Sequence, residues 1–307
     1  MELTPMRYFL AIARTGHLTR AAREVGVTQP ALSAMLRKLE RELGSALVER
    51  TGRGVSLTES GRAFLRHAED AVRAGERAAR AVREIAGLEA GSIRVGGGAT
   101  AVAYLLPPAV SRVRRAHPGL RFYVREAGSS AVASAVASGE LDMGIVTLPV
   151  IAPGAEDLVK APLVEDELRM IVPEGHRLAG RASFRWADLV GEDVVAFEAG
   201  TAVRQMIDRG AASAGVSLNV VMEVRSIESI TSMVGAGIGV GFVSRFALAP
   251  ADAAGGRGTG AAGLSCRDGR LTRRLAVVRR RDRAPSPAAA MFEGVLRERG
   301  RSIHKQD

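Results

Sequence analysis

The chain contains a single cysteine, Cys266, so it forms no internal disulfide, and this fits a reducing, cytoplasmic setting. No His/Cys cluster surrounds that thiol in sequence, which makes it incidental and not a metal ligand. No apolar run approaches the ~20 residues needed to span a bilayer. The N-terminal stretch MELTPMRYFLAIARTG is amphipathic and carries Glu2, unlike a secretion signal. Also missing are a Gly-Lys-Ser/Thr phosphate loop, a metal-binding His-Glu pair and a nucleophile elbow. The five histidines are scattered, without an evident Ser or Cys partner. These absences predict a protein with no membrane span, no cofactor, no metal and no enzymatic activity. Acidic residues are outnumbered, 33 against 43 Lys and Arg, for a net charge of +10 that comes mainly from arginine. Such a field favours polyanions and suits anionic small ligands. A length of 307 residues, 47% hydrophobic, allows about two globular domains.

What is present is concentrated first in residues 18–57, LTRAAREVGVTQPALSAMLRKLERELGSALVERTGRGVSL. A preceding helix is expected from about Thr4 to Arg14, with Pro5 in its first turn and Met6, Phe9, Leu10 and Ala13 buried. Gly16 ends it. A second helix runs from a Thr19 cap to Val25, Gly26 supplies a left-handed residue, and Thr28 caps a third helix reaching Leu43. Leu32, Met35, Leu36, Leu39 and Leu43 form the buried stripe of that third helix. Its opposite face carries Gln29, Pro30, Ser33, Arg37, Lys38 and Arg41, groups that meet base edges and phosphates. Two or three residues between the helices match a helix-turn-helix. Leu47 to Leu57 then reads as a hairpin around a Gly-Arg-Gly tip, a wing that puts Arg50 and Arg53 beside the DNA backbone or minor groove.

Thr58 to about Leu88 lacks proline and is rich in alanine, which predicts one long helix. Leu65, Ala68, Val72, Gly75, Ala79, Val82 and Ala86 follow a seam of three- and four-residue steps. Self-association along that seam would set two recognition helices about 34 Å apart and demand an inverted repeat in double-stranded DNA. Packing of the helix on its own domain is the alternative.

After a short linker, Gly87–Gly91, strands at Ser92–Val95, Leu120–Glu126 and Leu141–Leu148 alternate with helices Pro107–Ala116 and Ser130–Ser138. A second alternation has strands Leu168–Val172, Val194–Phe197, Leu218–Val224 and Val240–Val243, with helices Val203–Ala214 and Ile227–Ala236. The strand Leu271–Val278 and helix Ala288–Arg299 return to the first lobe. This predicts an α/β region of parallel sheets in two lobes around a cleft. Ala249 to Gly263 reads as a loop. The domains are therefore 1–58, 59–90 and 91–307, with lobe one about 91–163 and 268–307 and lobe two about 164–267. Gly96 to Thr100 leads from strand toward helix and suits a carboxylate or similar anion. Ser129 and Ser130 are matching candidates on the same lobe and Thr201 on the other. Each could instead cap a helix.

Two rival readings are weaker. The Gly235–Gly241 glycine run joins a helix to a strand, the reverse of a dinucleotide loop, which argues against an enzyme with a DNA-binding segment. A purely architectural DNA-binding protein would not need about 200 residues of two-lobed structure.

Leu18-Thr19-Arg20-Ala21-Ala22, Val27 to Ser33, Leu39-Glu40, Leu43-Gly44, Leu47 to Arg50 and Leu57 to Gly61 together resemble the LysR-type transcriptional regulators. Length and downstream organisation fit as well, so the resemblance covers the whole chain. It implies a winged helix-turn-helix on a long linker helix, followed by an effector domain like periplasmic solute-binding proteins. It also places Thr100 where the family often has an effector-contacting hydroxyl, and it favours a homotetramer over a homodimer. The chain departs from the family at His17, usually Ser, at Ala34, usually basic, and at Val48, usually Phe. His17 reads as a helix-entry surface residue, and Arg37 or Lys38 takes over the contact missing at Ala34. On this reading Gln29 and Ser33 contact bases, Thr28 and Pro30 set the helix entry, and Arg37, Lys38, Arg50 and Arg53 meet phosphates or the minor groove. A bound small-molecule effector would shift cleft closure, re-angle the paired DNA-binding modules and change contact with RNA polymerase.

Overall fold

The computed structural model describes residues 2–51, 54–85, 91–248 and 263–304. Arg53 at the wing tip, Ala86 of the seam and nearly all of the Gly87–Gly91 linker and the Ala249–Gly263 loop lie outside the described residues. The chain divides into two compact units, Met1–Glu89 and Ala90–Asp307.

In the first unit, α1 (Leu3–Thr15), α2 (Leu18–Glu24) and α3 (Gln29–Leu43) precede a hairpin of β1 (Val48–Thr51) and β2 (Gly54–Leu57), and α4 (Glu59–Ile85) follows. Gly16 is left-handed at φ 64° and returns its N–H to Ile12, which stops α1 as its sequence position implies. The buried side of α1 is Met6, Phe9, Ala11 and Ile12, not the expected set with Leu10 and Ala13, which are only half-buried. Helix α2 starts two residues earlier than the Thr19 cap implied, and His17 takes the cap position without a side-chain cap bond. In α3 the stripe is Leu32, Leu36 and Leu39, while Met35 is half-buried and Leu43 is exposed. The hairpin pairs Val48 with Leu57 and Arg50 with Val55.

The seam of α4 divides. Ala68 and Val72 are buried in the core with Phe9 and Leu32, and Leu65 is packed against it. Phe64 meets Phe9 edge-on at 5.2 Å. A Cβ at Gly75 would lie 2.5 Å from Leu3 Cδ1. Ala79 is exposed and Val82 is 65% exposed. The first half of the seam is therefore consumed by its own domain, and only the distal turns keep an open apolar edge.

Among the described residues the second unit has ten strands. They are β3 (Ser92–Gly97), β4 (Arg121–Glu126), β5 (Met143–Leu148), β6 (Leu158–Ile171), β7 (Ser183–Phe184), β8 (Asp193–Phe197), β9 (Asn219–Val224), β10 (Val240–Ser244), β11 (Ser265–Cys266) and β12 (Thr272–Arg280). The helices are α5 (Leu106–Ala116), entered through a π turn at Ala101–Leu105, then α6 (Ser129–Ala137), α7 (Ala202–Ser213), α8 (Ile227–Gly235) and α9 (Pro287–His304). Eight strands run in the order β4-β3-β5-β12-β6-β10-β8-β9. β3, β4 and β5 are mutually parallel, as are β8, β9 and β10, which matches the two alternations. The expectation of parallel sheets throughout is corrected at the centre, where β12 is antiparallel to β5 and β6, and β10 is antiparallel to β6.

β6 is fourteen residues long, and only its last four were expected as strand. Lys160, Pro162, Glu165, Asp166 and Glu167 break the apolar pattern there. The strand exists because β12 pairs along it, with a bulge where Leu275 opposes Val164 and Ala276 opposes Pro162. β6 and β12 join the two lobes, so the division expected at residues 163/164 falls inside a strand. Lobe one is built on Ile93, Val95, Leu106 and Phe292, and lobe two on Phe184, Trp186 and Phe242. α9 returns to lobe one, where Phe292 meets Phe122 at 5.0 Å. The glycine run from Gly235 joins α8 to β10.

Candidate nucleic-acid interface and ligand cleft

Thr28 has extended backbone, and its Oγ1 accepts the Ala31 N–H at 3.4 Å, which fixes the start of α3. Pro30 sits in the first turn, where its missing N–H costs nothing. Gln29 Nε2 donates to Ser33 Oγ at 2.8 Å. Ser33 is only 8% exposed, so the open-face position expected for it is corrected: i to i+4 spacing turns its hydroxyl inward beneath Gln29. Pro30, Ala34, Arg37, Lys38 and Arg41 are exposed. The hairpin is fastened to this helix by Glu40, whose Oε1 accepts the Leu47 and Val48 N–H groups at 2.9 and 3.3 Å. Val55 N–H donates to the Gly16 carbonyl at 2.9 Å, tying β2 to the α1–α2 turn. Arg50 lies on β1, and Arg53 is outside the described residues. An open groove of about 480 Å³ runs between α2, the start of α3 and β2, with His17, Thr19 and Arg20 beside Gln29. Sequence reasoning gave Thr19 and Arg20 no role in DNA binding.

The second unit holds a cleft of about 310 Å³ between its lobes. Lobe one supplies Gly98 to Ala101, Gly128, Ser129, Ile145 and Thr147, and lobe two supplies Phe197, Glu198, Thr201 to Val203 and Arg225. Thr100, Ser129 and Thr201 all line the cleft. Ser130 is exposed and does not line it, because α6 begins at Ser129 and turns the next side chain away.

Each hydroxyl has a defined partner. Thr100 Oγ1 accepts from Arg273 at 2.7 Å. Ser129 Oγ accepts the Thr147 N–H at 2.9 Å. Thr201 Oγ1 both accepts the Arg204 N–H at 3.2 Å and donates to the Glu198 carbonyl at 3.0 Å, so it is a helix cap with both functions engaged.

Behind Thr100 lies a buried network that the sequence reading missed. Arg273 Nε donates to Asp166 Oδ2 at 2.8 Å, and Ser244 Oγ donates to Asp166 Oδ1 at 2.7 Å. Asp166 is 0% exposed, and the four groups join lobe one, β12, β6 and β10. The available signal was slight, one carboxylate of the Glu165 to Glu167 run that leads into the apolar end of β6, where burial obliges a charge to be paired. At the cleft mouth Arg225 Nε donates to Glu198 Oε1 at 2.6 Å, and that bond holds the guanidinium pKa above its ordinary value. Cys266 is buried, and burial pushes its thiol pKa up. Among the described residues no group of three or more His, Cys, Asp or Glu could hold a metal ion, and no helix is long and apolar enough to cross a membrane.

Residues 3–62 match the family described as bacterial regulatory helix-turn-helix protein, lysR family, and residues 86–301 match the LysR substrate binding domain. The chain is 32% identical over 251 residues to a probable RuBisCO transcriptional regulator of Cyanophora paradoxa, covering 81% of this chain and 78% of that protein. It is 29% identical over 252 residues to a hydrogen peroxide-inducible genes activator of Dickeya chrysanthemi, covering 81% and 80%. Among solved structures, a variant of full-length OxyR from Pseudomonas aeruginosa superposes with TM-score 0.66 at 26% identity, over 98% of this chain and 95% of that one. Full-length CbnR in complex with its target DNA gives TM-score 0.70 at 21% identity, over 97% and 99%, a likeness of fold. The chain thus belongs to the LysR family, and it is a DNA-binding transcription regulator with an N-terminal helix-turn-helix and a C-terminal effector-binding domain.

Proposed function

We propose that this regulator reads an inverted-repeat promoter site as a homo-oligomer and is switched by a small effector bearing a carboxylate or similar oxyanion, held in the cleft. The observation that carries the effector class is the direction of the hydrogen bonds on the cleft floor. Thr100 and Ser129 each accept a bond from the protein, from Arg273 and from the Thr147 amide, and each keeps its O–H to donate. A floor that presents donors matches a group that only accepts. Thr201 is fully used as a cap and serves the cleft wall, so Thr100 and Ser129 are the effector contacts.

On DNA, Gln29 offers its amide oxygen and remaining N–H to a base, and Ser33 orients that amide from below. Thr28 and Pro30 set the helix entry, while Arg37, Lys38, Arg50 and Arg53 take phosphates or the minor groove. Effector binding changes lobe closure around β6 and β12, and the oligomer transmits this to the DNA modules and to contact with RNA polymerase, limited by the effector's differential affinity for the two states. The relatives named for RuBisCO transcription and for hydrogen peroxide induction respond to different needs, so their names supply no common signal. A thiol-based peroxide response does not fit this chain, whose only cysteine is buried with a raised pKa.

The test is selection of sheared genomic DNA by the purified protein beside Gln29→Ala, followed by footprinting of the recovered fragments with a panel of small carboxylates. An enriched inverted repeat lost in Gln29→Ala, and a footprint that changes with a carboxylate but not in Ser129→Ala, is the expected result. Equal, salt-sensitive recovery of all fragments by both proteins would overturn the DNA reading. Footprints that no carboxylate alters would overturn the effector reading.

A further inference from the structure

His17 stands at the start of α2 with extended backbone and makes no cap bond, so its ring is free of the task its position normally assigns. The ring instead lies against the wing. A Cβ on Gly54 would come within 2.7 Å of His17 Nδ1 and 2.9 Å of Cε1, and Gly54 has φ 139°, so a glycine is needed there on both counts. The turn beneath is held by the Val55 bond to Gly16 and by the Thr15 hydroxyl, which donates to the His17 carbonyl at 3.2 Å. The imidazole is therefore placed by its surroundings while neither ring nitrogen has a hydrogen bond or ion pair among the described residues.

We propose that His17 is a DNA-backbone contact whose protonated imidazole closes on a phosphate between α2 and the wing, so that operator affinity rises as pH falls. This rests on the reading of the α3 face as the DNA-binding surface. The groove that His17 lines also contains Gln29 from α3, Thr19 and Arg20 from α2, and Gly54 and Val55 from β2. Arg20 is its charged neighbour, and no carboxylate lines the groove among the described residues. An imidazolium there has no counter-ion within the protein. A phosphate supplies one, and the same strand satisfies Arg20. An imidazole ordinarily titrates near 6.5, so the switch falls in an accessible range. Protonation favours the complex because the charged form gains a partner only when DNA is bound.

The test is binding of full-length protein to a labelled duplex recovered by genomic selection, measured by fluorescence anisotropy between about pH 5.5 and 8 at several salt concentrations. Wild-type affinity should rise toward acid by up to about tenfold for each unit by which DNA raises the imidazole pKa. Its dependence of log affinity on log salt should steepen at the acid end by about 0.9, one added phosphate contact. His17→Gln should lose both effects while still preferring operator over random duplex. His17→Arg should bind tightly at every pH. Melting temperatures of both variants check that they fold.

A second readout needs no variant to bind: the His17 ring C–H resonance of wild-type protein, assigned from its absence in His17→Arg, should titrate at higher pH with the duplex than without it. Equal pH and salt slopes in wild type and His17→Gln, or an unshifted titration in the complex, would overturn the proposal. If wild-type protein fails to prefer operator over random duplex at any pH, the sequence-specific reading beneath it fails instead.

Discussion

On the exposed side of α3, Arg37, Lys38 and Arg41 have no carboxylate in ion-pair range among the described residues, whereas in the cleft Arg273 is matched by Asp166 and Arg225 by Glu198. The same residue type is used for two purposes. A polyanion is bound by charges left unmatched in the free protein, since each phosphate neutralised releases counter-ions. A small ligand in a confined space is better met by groups whose polarity is already set, and a buried unmatched guanidinium would cost several kcal/mol of desolvation. The α3 face thus keeps its cations in water, and the cleft pairs its own and presents hydroxyls.

The largest expected effect breaks the matched side of that comparison. Asp166→Ala leaves Arg273 buried without a counter-charge and should destabilise the second unit by about 3–5 kcal/mol, read as a fall in the urea midpoint followed by the fluorescence of Trp186, the sole tryptophan. The double variant Asp166→Leu/Arg273→Met should recover much of that loss, because a packed apolar pair removes the stranded charge. A single-variant loss below about 1 kcal/mol would mean that the pair adds nothing beyond a surface bridge.

Next in size is the unmatched side. Gln29→Ala should reduce the preference for operator over random duplex by about 1–3 kcal/mol, the worth of a bidentate base contact. Overall affinity for random duplex should stay near wild type, since phosphate contacts are untouched. A variant that loses affinity for both duplexes equally would show Gln29 to be a positioning residue and not a reader.

Most of this could be read from local sequence. Gly16, Thr28 and the apolar spacing of α3 declared the helices of the first unit, because caps and periodicity act within one turn. Val48 to Leu57 declared the hairpin. The strand-helix alternations gave the two lobes. What sequence did not show depends on pairing across long separations. The first ten residues of β6 are broken by Lys160, Pro162 and the charged run Glu165 to Glu167, and they are a strand only because β12, more than one hundred residues later, lies beside them. The Asp166–Arg273 pair and its link to Thr100 are hidden for the same reason. The α4 seam was ambiguous in another way: spacing identifies an apolar stripe but not its partner, and here α1 occupies half of it. Ser33 is buried although the face count of α3 set it outward, and Ser130 is exposed and does not line the cleft.

Smaller still is the effect expected at Thr201. If it is a cap and not an effector contact, Thr201→Ala should cost about 1 kcal/mol of stability. It should also leave carboxylate binding nearer to wild type than Ser129→Ala does. The reverse pattern, full stability with lost binding, would return Thr201 to the ligand side of the cleft.

The smallest change in stability sharpens the comparison most. Lys38 is exposed and unmatched, so Lys38→Ala should shift the unfolding free energy by no more than about 0.5 kcal/mol. Its effect should show only on DNA, where the slope of log affinity against log salt should become shallower by about 0.9 with specificity retained. An unchanged slope would place Lys38 off the phosphate track and leave the contact missing at Ala34 to Arg37. A slope reduced together with lost operator preference would mean that Lys38 reads a base, and the division between reading by Gln29 and anchoring by the cations would no longer hold.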